Sequence, residues 1–257
     1  MLGVCDAPEE RLRAGYRQFC GIARTLDLVG QRWTLLVMRE LLLRGRLSVS
    51  AIARGLPDVP MNQLAERLAM LEARGLVRAA PQAGDDARAV RAPKSPARVY
   101  EATETGRRLA GVLEALARFG LERLVADGAE PDDAILPHVL MRQLELRFDG
   151  ERAAAADFSG RFELVLLDPQ TLWSVEPGAD APDRWALVAS DGELRVRAGA
   201  CLDPDAVLAL SVDACSRLVS GRSEAELELE VSGDRDRARE LLSLLAAGAP
   251  ADAVAAA

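Results

Sequence analysis

The sequence predicts an α+β protein with two domains, the first mainly helical and the second built on a β-sheet that helices cover. Apolar residues recur at helical spacing in the first half and alternate in short runs in the second half. A polar stretch with Gly and Pro separates the halves at 127–131. We place the domains at 1–126 and 132–246 and expect the Ala-rich tail 247–257 to be disordered.

Composition excludes several classes of protein. Of the 257 residues 49% are hydrophobic, which argues against a disordered chain and is enough for two cores. No apolar run is long enough to cross a bilayer, and the first residues lack a signal-peptide pattern, so we expect a cytoplasmic protein. The four cysteines are far apart and form no C-x-x-C pair, so we expect neither a metal site nor a cofactor.

The first three helices are predicted from spacing and caps. Two helices follow from apolar residues at helical spacing, which are Ile22, Leu26 and Val29 in the first and Leu35, Leu36, Met38 and Leu42 in the second. A third, short helix fits Val49–Arg54, with Ser48 or Ser50 as its N-cap. Gly55 and Pro57 end it.

A fourth helix is predicted from Pro60 to Arg74, with Gly75 placed to end it. Its apolar face consists of Met61, Leu64, Leu68 and Leu71. Its opposite face consists of Asn62, Gln63, Glu66, Arg67, Met70 and Arg74. Two strand-like segments, 76–78 and 98–102, then flank a polar loop at 81–97.

Helices followed by a two-stranded hairpin predict a winged helix-turn-helix, which binds double-stranded DNA. The polar face of the fourth helix would enter the major groove, and arginines of the hairpin would contact phosphates. The candidate DNA-binding residues are Arg46, Ser48, Asn62, Gln63, Glu66, Arg67, Arg74, Arg91, Lys94 and Arg98. The alternative is an ordinary surface helix with a solvated charged face.

Charge is distributed unevenly along the chain. Residues 1–125 carry 20 Arg and Lys against 14 Asp and Glu, whereas the remainder carries 12 against 26. A basic first half predicts a polyanionic partner for that half alone. Chance clustering in an arginine-rich sequence is the alternative.

A helix that opens at Thr103–Gly106 predicts a homodimer. Its apolar residues Leu109, Val112 and Leu116 exceed what a small winged domain needs to bury. Paired DNA half-sites also require a protein with two-fold symmetry.

Three segments occur in order in the first domain: CGIARTLDLVGQRWTLLVMREL (Cys20–Leu41), NQLAERLAMLEARGLV (Asn62–Val77) and VYEATETGRRLAGVLEALARFG (Val99–Gly120). They resemble the HxlR family of winged-helix transcription regulators, a branch near MarR. The resemblance implies a recognition helix at the second segment and a dimerisation helix in the third. Pro60 stands where the family usually has a capping Ser or Thr, and the wing loop is longer than usual.

Some members of that family sense oxidants or electrophiles through a cysteine near the N-terminus, and Cys20 holds the matching position. A reactive thiol needs a lowered pKa, which nearby Arg17 and Arg24 or a helix N-terminus could supply. The alternative is a small packed residue.

The second domain begins with a helix predicted at Ala134–Phe148. Strands are predicted at Phe162–Leu167, Leu172–Val175, Trp185–Ala189, Leu194–Arg197, Val207–Val212 and Ala225–Val231, and helices at Asp213–Ser220 and Arg235–Ala246. Asp191-Gly192 predicts a hairpin turn, because both positions need positive φ.

The segment VLALSVDACSRLVSGRSEAELELEVSGDRDRARELLSLL (Val207–Leu245) resembles the sterol-carrier-protein type two domain. That resemblance implies a five-stranded sheet covered by helices around an apolar tunnel, and hence a small apolar or aromatic ligand. The candidate ligand-binding residues are Leu164, Leu166, Trp173, Trp185 and Leu187. Core packing is the alternative for each tryptophan, and a cavity filled by side chains is the alternative to an open tunnel.

Catalysis is not expected. The only histidine is His138, on an apolar helix stripe, and no nucleophile elbow, P-loop or dinucleotide-binding loop occurs. Two hypotheses follow: a regulator whose second domain binds a ligand that changes its affinity for an operator, or a carrier module with a degenerate winged helix that mediates protein contacts. Salt-dependent binding to duplex DNA distinguishes them.

Overall fold

The computed structural model describes residues 15–80, 98–123, 132–168, 183–221 and 227–247. The chain divides into two compact units between Leu113 and Glu114. We describe each unit separately.

The described residues of the first unit form four helices, a small sheet, a further helical segment and the start of another helix. The helices are α1 (Gly21–Val29), α2 (Thr34–Arg44), α3 (Val49–Arg54), α4 (Met61–Ala73), α5 (Glu104–Arg107) and α6 (Ala110–Arg123). The strands are β1 (Leu47–Ser48), β2 (Val77–Ala80) and β3 (Val99–Ala102), in the antiparallel order β1-β3-β2. The predicted winged helix-turn-helix is therefore present.

The helix boundaries follow local chemistry. The Ser48 hydroxyl accepts a hydrogen bond from the Ala51 amide at 3.2 Å, which confirms the predicted cap of α3. Helix α4 begins after Pro60, one residue later than predicted, and has no side-chain cap. Gly75 follows its end with φ of +70°, as predicted. Strand β1 was not predicted, because two residues are too few to show alternation.

The core of this unit lies between α2, α4 and the hairpin. Leu64, Leu68 and Leu71 of α4 are fully buried, as predicted, and pack in one cluster with residues of α2 and β3. Met61 is an exception, since 55% of its surface is exposed. The reason is its position as the first residue of α4, one turn before the buried row begins.

The predicted first helix is present as α1, but only part of its apolar stripe is buried, since Ile22 and Leu26 are exposed whereas Val29 is buried. The buried side of α1 consists of Ala23 and Val29. The long helix predicted from Thr103 is interrupted after Arg107, so that α5 and α6 are separate segments.

The second unit is a five-stranded sheet with helices against one face. The strands are β4 (Gly160–Leu166), β5 (Arg184–Ser190), β6 (Glu193–Ala198), β7 (Ala206–Leu210) and β8 (Leu229–Gly233). Their order is β6-β5-β4-β7-β8, in which β4 and β7 are parallel and the other neighbours antiparallel. The helices are α7 (Pro137–Arg147), α8 (Gly150–Ala155), α9 (Val212–Val219) and α10 (Arg235–Ala247).

Most predicted elements of the second unit are present. Asp191 and Gly192 both have positive φ, +52° and +73°, and join β5 to β6 as the predicted two-residue turn. Helix α8 was not predicted, because GERAAA has no apolar period, although Asp149 caps it by accepting from the Arg152 amide. The predicted strand at 172–175 lies outside the described residues, as does the predicted tail beyond Ala247.

The division between the units lies within α6, and the expected boundary at 127–131 is outside the described residues. Leu121, near the end of α6, is buried in the core of the second unit. Arg118 donates a hydrogen bond at 2.8 Å to the carbonyl of Leu146 in α7. The later part of α6 therefore packs with the second unit.

Candidate functional site

Helix α4 presents a polar row on the side opposite its buried leucines. Asn62, Gln63 and Glu66 are exposed, so their side chains are accessible to a ligand as large as a DNA duplex. Side chains on such a helix carry the donors and acceptors that base edges recognise.

The two arginines predicted on α4 make contacts inside the protein. The Arg67 side chain is 16% exposed, and its guanidinium pairs with the carboxylate of Glu66 at 3.0 Å. Arg74 donates to the backbone carbonyls of Asp27 and Leu28 at 2.5 and 2.9 Å. Arg74 thus ties the end of α4 to the end of α1.

A buried carboxylate joins α2 to α3. The side chain of Glu40 is fully buried and accepts hydrogen bonds from Arg39 at 2.8 and 3.0 Å and from Arg44 at 3.1 Å. The same guanidinium groups donate to the carbonyls of Gly55 and Ala51, at the end and in the first half of α3. The network therefore fixes α3 against α2.

Gly55 is required by this network. A Cβ at Gly55 would lie 2.0 Å from a carboxylate oxygen of Glu40, so any other residue would displace that carboxylate. Sequence reasoning missed Glu40. The available signal was an acid in a mainly apolar helix with an arginine, Arg44, at i+4, a spacing that favours an ion pair.

At the base of the hairpin, one carboxylate holds two arginines. Glu101 of β3 accepts hydrogen bonds from Arg46 at 2.5 Å and from Arg78 of β2 at 2.7 Å. The hydrogen bonds from Arg78 and then Arg46 lower the pKa of Glu101. Both arginine side chains remain more than half exposed, so each can still contact an anion.

The remaining predicted DNA-binding residues lie near this hairpin or outside the described residues. Arg98 is 62% exposed and pairs with Glu72 at 3.4 Å. Ser48 is engaged as the cap of α3. Arg91 and Lys94 fall between 81 and 97, which the structure does not describe.

Helix α6 has an exposed apolar stripe. Leu109, before its first residue, and Leu113 pack against the core of the first unit. Val112, Leu116 and Phe119 instead point outward, with 42%, 49% and 59% of their surfaces exposed.

The described cysteines differ in accessibility. Cys20 is exposed and immediately precedes α1, whereas Cys201 and Cys215 are buried. Burial raises the pKa of the Cys215 thiol to about 12, which makes its reactive thiolate form scarce.

The residues predicted to line an apolar tunnel lie in the core of the second unit. Leu164, Leu166, Trp185 and Leu187 are each at most 6% exposed and belong to one packed cluster. None of them lines either of the two cavities described next. Trp173 lies outside the described residues.

Two cavities lined by described residues of the second unit differ in character. The smaller, about 160 Å³, lies between α7 and α9 and has mainly aliphatic walls, including Leu136, Val139 and Val219. The larger, about 720 Å³, is an open cleft with mainly charged walls.

The described helices include none long and apolar enough to span a membrane.

The comparisons with known proteins concern the first part of the chain. The family model described as HxlR-like helix-turn-helix matches residues 28–127. An uncharacterized HTH-type transcriptional regulator of Mycobacterium tuberculosis is 36% identical over 103 residues, which are 40% of this chain and 58% of the relative. One from Synechocystis is 31% identical over 112 residues, 43% of this chain and 75% of the relative. A solved MarR-family regulator from Porphyromonas gingivalis is 23% identical, with a TM-score of 0.35, over 42% of this chain and 95% of that one. The chain thus spans 58% of the length of the Mycobacterium relative.

Proposed function

Because this chain belongs to the HxlR-like helix-turn-helix family, we propose that it regulates transcription by binding a double-stranded DNA operator. The observation that carries the proposal is the exposed polar row of α4 opposite a fully buried apolar row. A helix with this arrangement can enter the major groove without uncovering its core.

Asn62 and Gln63 are the residues we assign to base recognition. Their amides can each make two hydrogen bonds with an adenine edge, and such a pair is worth about 1–3 kcal/mol against the wrong base. Glu66 can accept from the amino group of cytosine. Arg67 pairs with Glu66 in the protein, so Arg67 can contact DNA only when this ion pair separates.

The hairpin supplies the contacts to phosphates. Arg46 and Arg98 are exposed at its base, and Arg78 extends the same surface. Arg91 and Lys94, which lie between β2 and β3 in the sequence, add further positive charge. Such contacts position the protein on the duplex and make binding sensitive to salt.

Two copies of the chain are needed to bind paired half-sites. The exposed stripe of Val112, Leu116 and Phe119 on α6 supports a homodimer through this helix. Large apolar side chains at neighbouring helical positions are costly to leave in water, which favours their burial between protomers.

The test is selection of duplexes from a random pool with the full-length protein. We expect enrichment of an inverted repeat whose half-sites lie about one helical turn apart. Gln63→Ala should weaken binding to the selected duplex about tenfold, the equivalent of one lost base contact, and leave random duplex nearly unaffected. Gln18→Ala, at an exposed glutamine outside α4 and the hairpin, is the matched control. A pool without enrichment, or salt-independent binding, would favour the carrier hypothesis instead.

For the second unit we propose a small apolar or aromatic effector. The cavity between α7 and α9 supports this, because six of its ten lining residues are aliphatic and Asp133, Gln143, Ser216 and Ser220 offer a few polar groups. A cavity of about 160 Å³ limits the effector to roughly one aromatic ring system. Indole should raise the thermal midpoint of the protein by binding the folded state, and Val139→Trp, which fills the cavity, should remove the effect. An equal increase in both proteins would exclude this cavity.

A further inference from the structure

The cleft of about 720 Å³ has a volume typical of pockets that hold small molecules. Its walls come from α6, α7, the start of α8 and the β5–β6 turn, all within the second unit. The charged side chains are three arginines, Arg118, Arg142 and Arg195, and five carboxylates, Glu114, Glu145, Asp149, Glu151 and Glu193, of which Asp149 caps α8. None of the residues predicted to bind DNA lines this cleft, and its floor includes the core residues Leu146, Phe148 and Leu194.

The groups on the two helices are held in a fixed network. Arg142 pairs with Glu145 at 2.8 Å and with Glu114 of α6 at 3.3 Å. Glu145 also accepts from the amide of Val196 in β6 at 2.8 Å. Arg118 pairs with Glu114 at 3.1 Å while donating to a backbone carbonyl of α7. This part of the wall is therefore organised before any ligand arrives.

The groups of α8 and β6 are less constrained. Glu193 and Arg195 pair with each other at 3.0 Å, but their side chains are 66% and 69% exposed. An ion pair so exposed is worth at most about 1 kcal/mol, so a ligand can replace either partner at low cost. Glu151 makes no hydrogen bond or ion pair with any residue that the structure describes. These residues offer two carboxylates and one guanidinium.

The distribution of charge restricts the ligand class. An apolar molecule would remove charged groups from water without replacing their hydrogen bonds. A simple anion would meet an excess of carboxylates, and a simple cation would leave Arg195 without a partner. We propose that this cleft binds a small zwitterion with an additional positive charge, which is the chemistry of a basic α-amino acid. Arg195 would hold the ligand carboxylate through two parallel hydrogen bonds, and Glu151 and Glu193 its cationic groups.

The cleft lies on the helix that both units share. Glu114 and Arg118 belong to α6, and Leu113 of the same helix packs in the core of the first unit. A ligand that contacts α6 can therefore change the affinity of the first unit for DNA. This extension rests on the proposed function. Coupling between two sites commonly changes affinity about 5- to 150-fold, and it acts equally in both directions.

The experiment is calorimetric titration of the full-length protein, without DNA, with L-arginine, L-lysine, L-glutamate and putrescine. We expect both basic amino acids to bind more tightly than L-glutamate and putrescine. Arg195→Gln and Glu151→Gln should each weaken binding of L-arginine at least tenfold, about 1.4 kcal/mol. Arg217→Gln and Glu230→Gln make the same changes of charge in this unit outside the cleft and should have no effect.

Three results would overturn the proposal. The first is no heat from L-arginine or L-lysine at millimolar concentration. The second is putrescine binding as tightly as L-arginine, because the carboxylate would then not be recognised. The third is equal loss in cleft and control variants. Since DNA is absent, these results are independent of operator binding.

Repeating the titration with the selected duplex tests the coupling between the two sites. An affinity for L-arginine that is unchanged by the duplex would exclude this coupling.

Discussion

At the residue scale, the helix-turn-helix depends on a charged group that contacts no solvent. Glu40 is fully buried, yet its carboxylate is satisfied by two arginines that also hold carbonyls of α3 and of Gly55. A buried carboxylate is stable only with such partners. Its removal would leave the guanidinium groups of Arg39 and Arg44 without a carboxylate partner and with only backbone carbonyls as acceptors.

We therefore predict that Glu40→Ala destabilises the protein by about 3 kcal/mol, at the low end for a broken buried pair because the arginines are partly exposed. Urea denaturation followed by circular dichroism measures the change. The control is Glu66→Ala, which breaks an ion pair whose carboxylate is 65% exposed and should cost less than about 1 kcal/mol. Equal changes in the two variants would show that the buried network contributes nothing beyond a surface pair.

The cysteines provide a second prediction at this scale. Cys20 is exposed, whereas Cys215 is buried with its pKa raised to about 12. We expect a thiol reagent to modify Cys20 of the native protein near neutral pH and to reach Cys201 and Cys215 only after unfolding. Peptide mass mapping measures this order, and Cys20→Ser is the control. Oxidant sensing by Cys20 requires that order, so early modification of Cys215 would contradict it.

At the scale of elements, the hairpin carries arginines that can contact DNA together with a carboxylate that accepts hydrogen bonds from them. Glu101 lies between Arg46 and Arg78, which lower its pKa below the ordinary value of 4.5. A carboxyl group with a lowered pKa stabilises the folded state fully above that ordinary value. Its contribution is lost as the pH falls through the lower, folded-state pKa. The hairpin should therefore lose this contribution only in acid below pH 4.5.

Glu101→Gln tests the same arrangement through DNA binding. Without the carboxylate, Arg46 and Arg78 are free to neutralise phosphates, so affinity for random duplex should increase. The slope of log K against log salt should become steeper, by up to about 0.9 for each added phosphate contact. Fluorescence anisotropy at several salt concentrations measures this slope. Glu193→Gln, which frees an arginine in the second unit, should leave the slope unchanged. A shallower slope in Glu101→Gln would mean that Glu101 positions the arginines for DNA.

The sequence predicted the elements whose signals are local and periodic. The cap at Ser48, the end of α4 at Gly75 and the turn at Asp191-Gly192 each depend on a neighbouring residue type, and all three are present. Strand β1 exists through pairing with β3, which is distant in sequence. Helix α8 is too short for a period.

Site residues were harder to predict, because their contacts are made across elements. The sequence placed Arg74 on the polar face of α4, but the fold directs its guanidinium to carbonyls of α1. Trp185 and Leu187 were assigned to an apolar tunnel because apolar and polar residues alternate along their strand. The same alternation occurs in a strand that packs in a core, which is where both residues lie. The charged cleft unites helix, turn and strand residues that no sequence pattern links.

At the scale of the whole molecule, the regulator we propose requires two chains on one operator. Leu116 of α6 is 49% exposed between Val112 and Phe119, so its replacement by Glu should leave the protomer folded. In a dimer formed through this stripe, two buried, unpaired carboxylates would oppose association strongly. We predict that Leu116→Glu is a monomer by light scattering at concentrations where the natural sequence is a dimer.

The same variant should lose affinity for the selected inverted repeat, because a monomer contacts one half-site, while its affinity for random duplex changes less. The control is Leu202→Glu, which places the same charge at a leucine of the second unit that is 79% exposed. Leu202→Glu should remain dimeric and bind the repeat normally. If Leu116→Glu stays dimeric with an unchanged melting temperature, the interface lies elsewhere. The exposed apolar residues of α1, Ile22 and Leu26, would then be the next to replace.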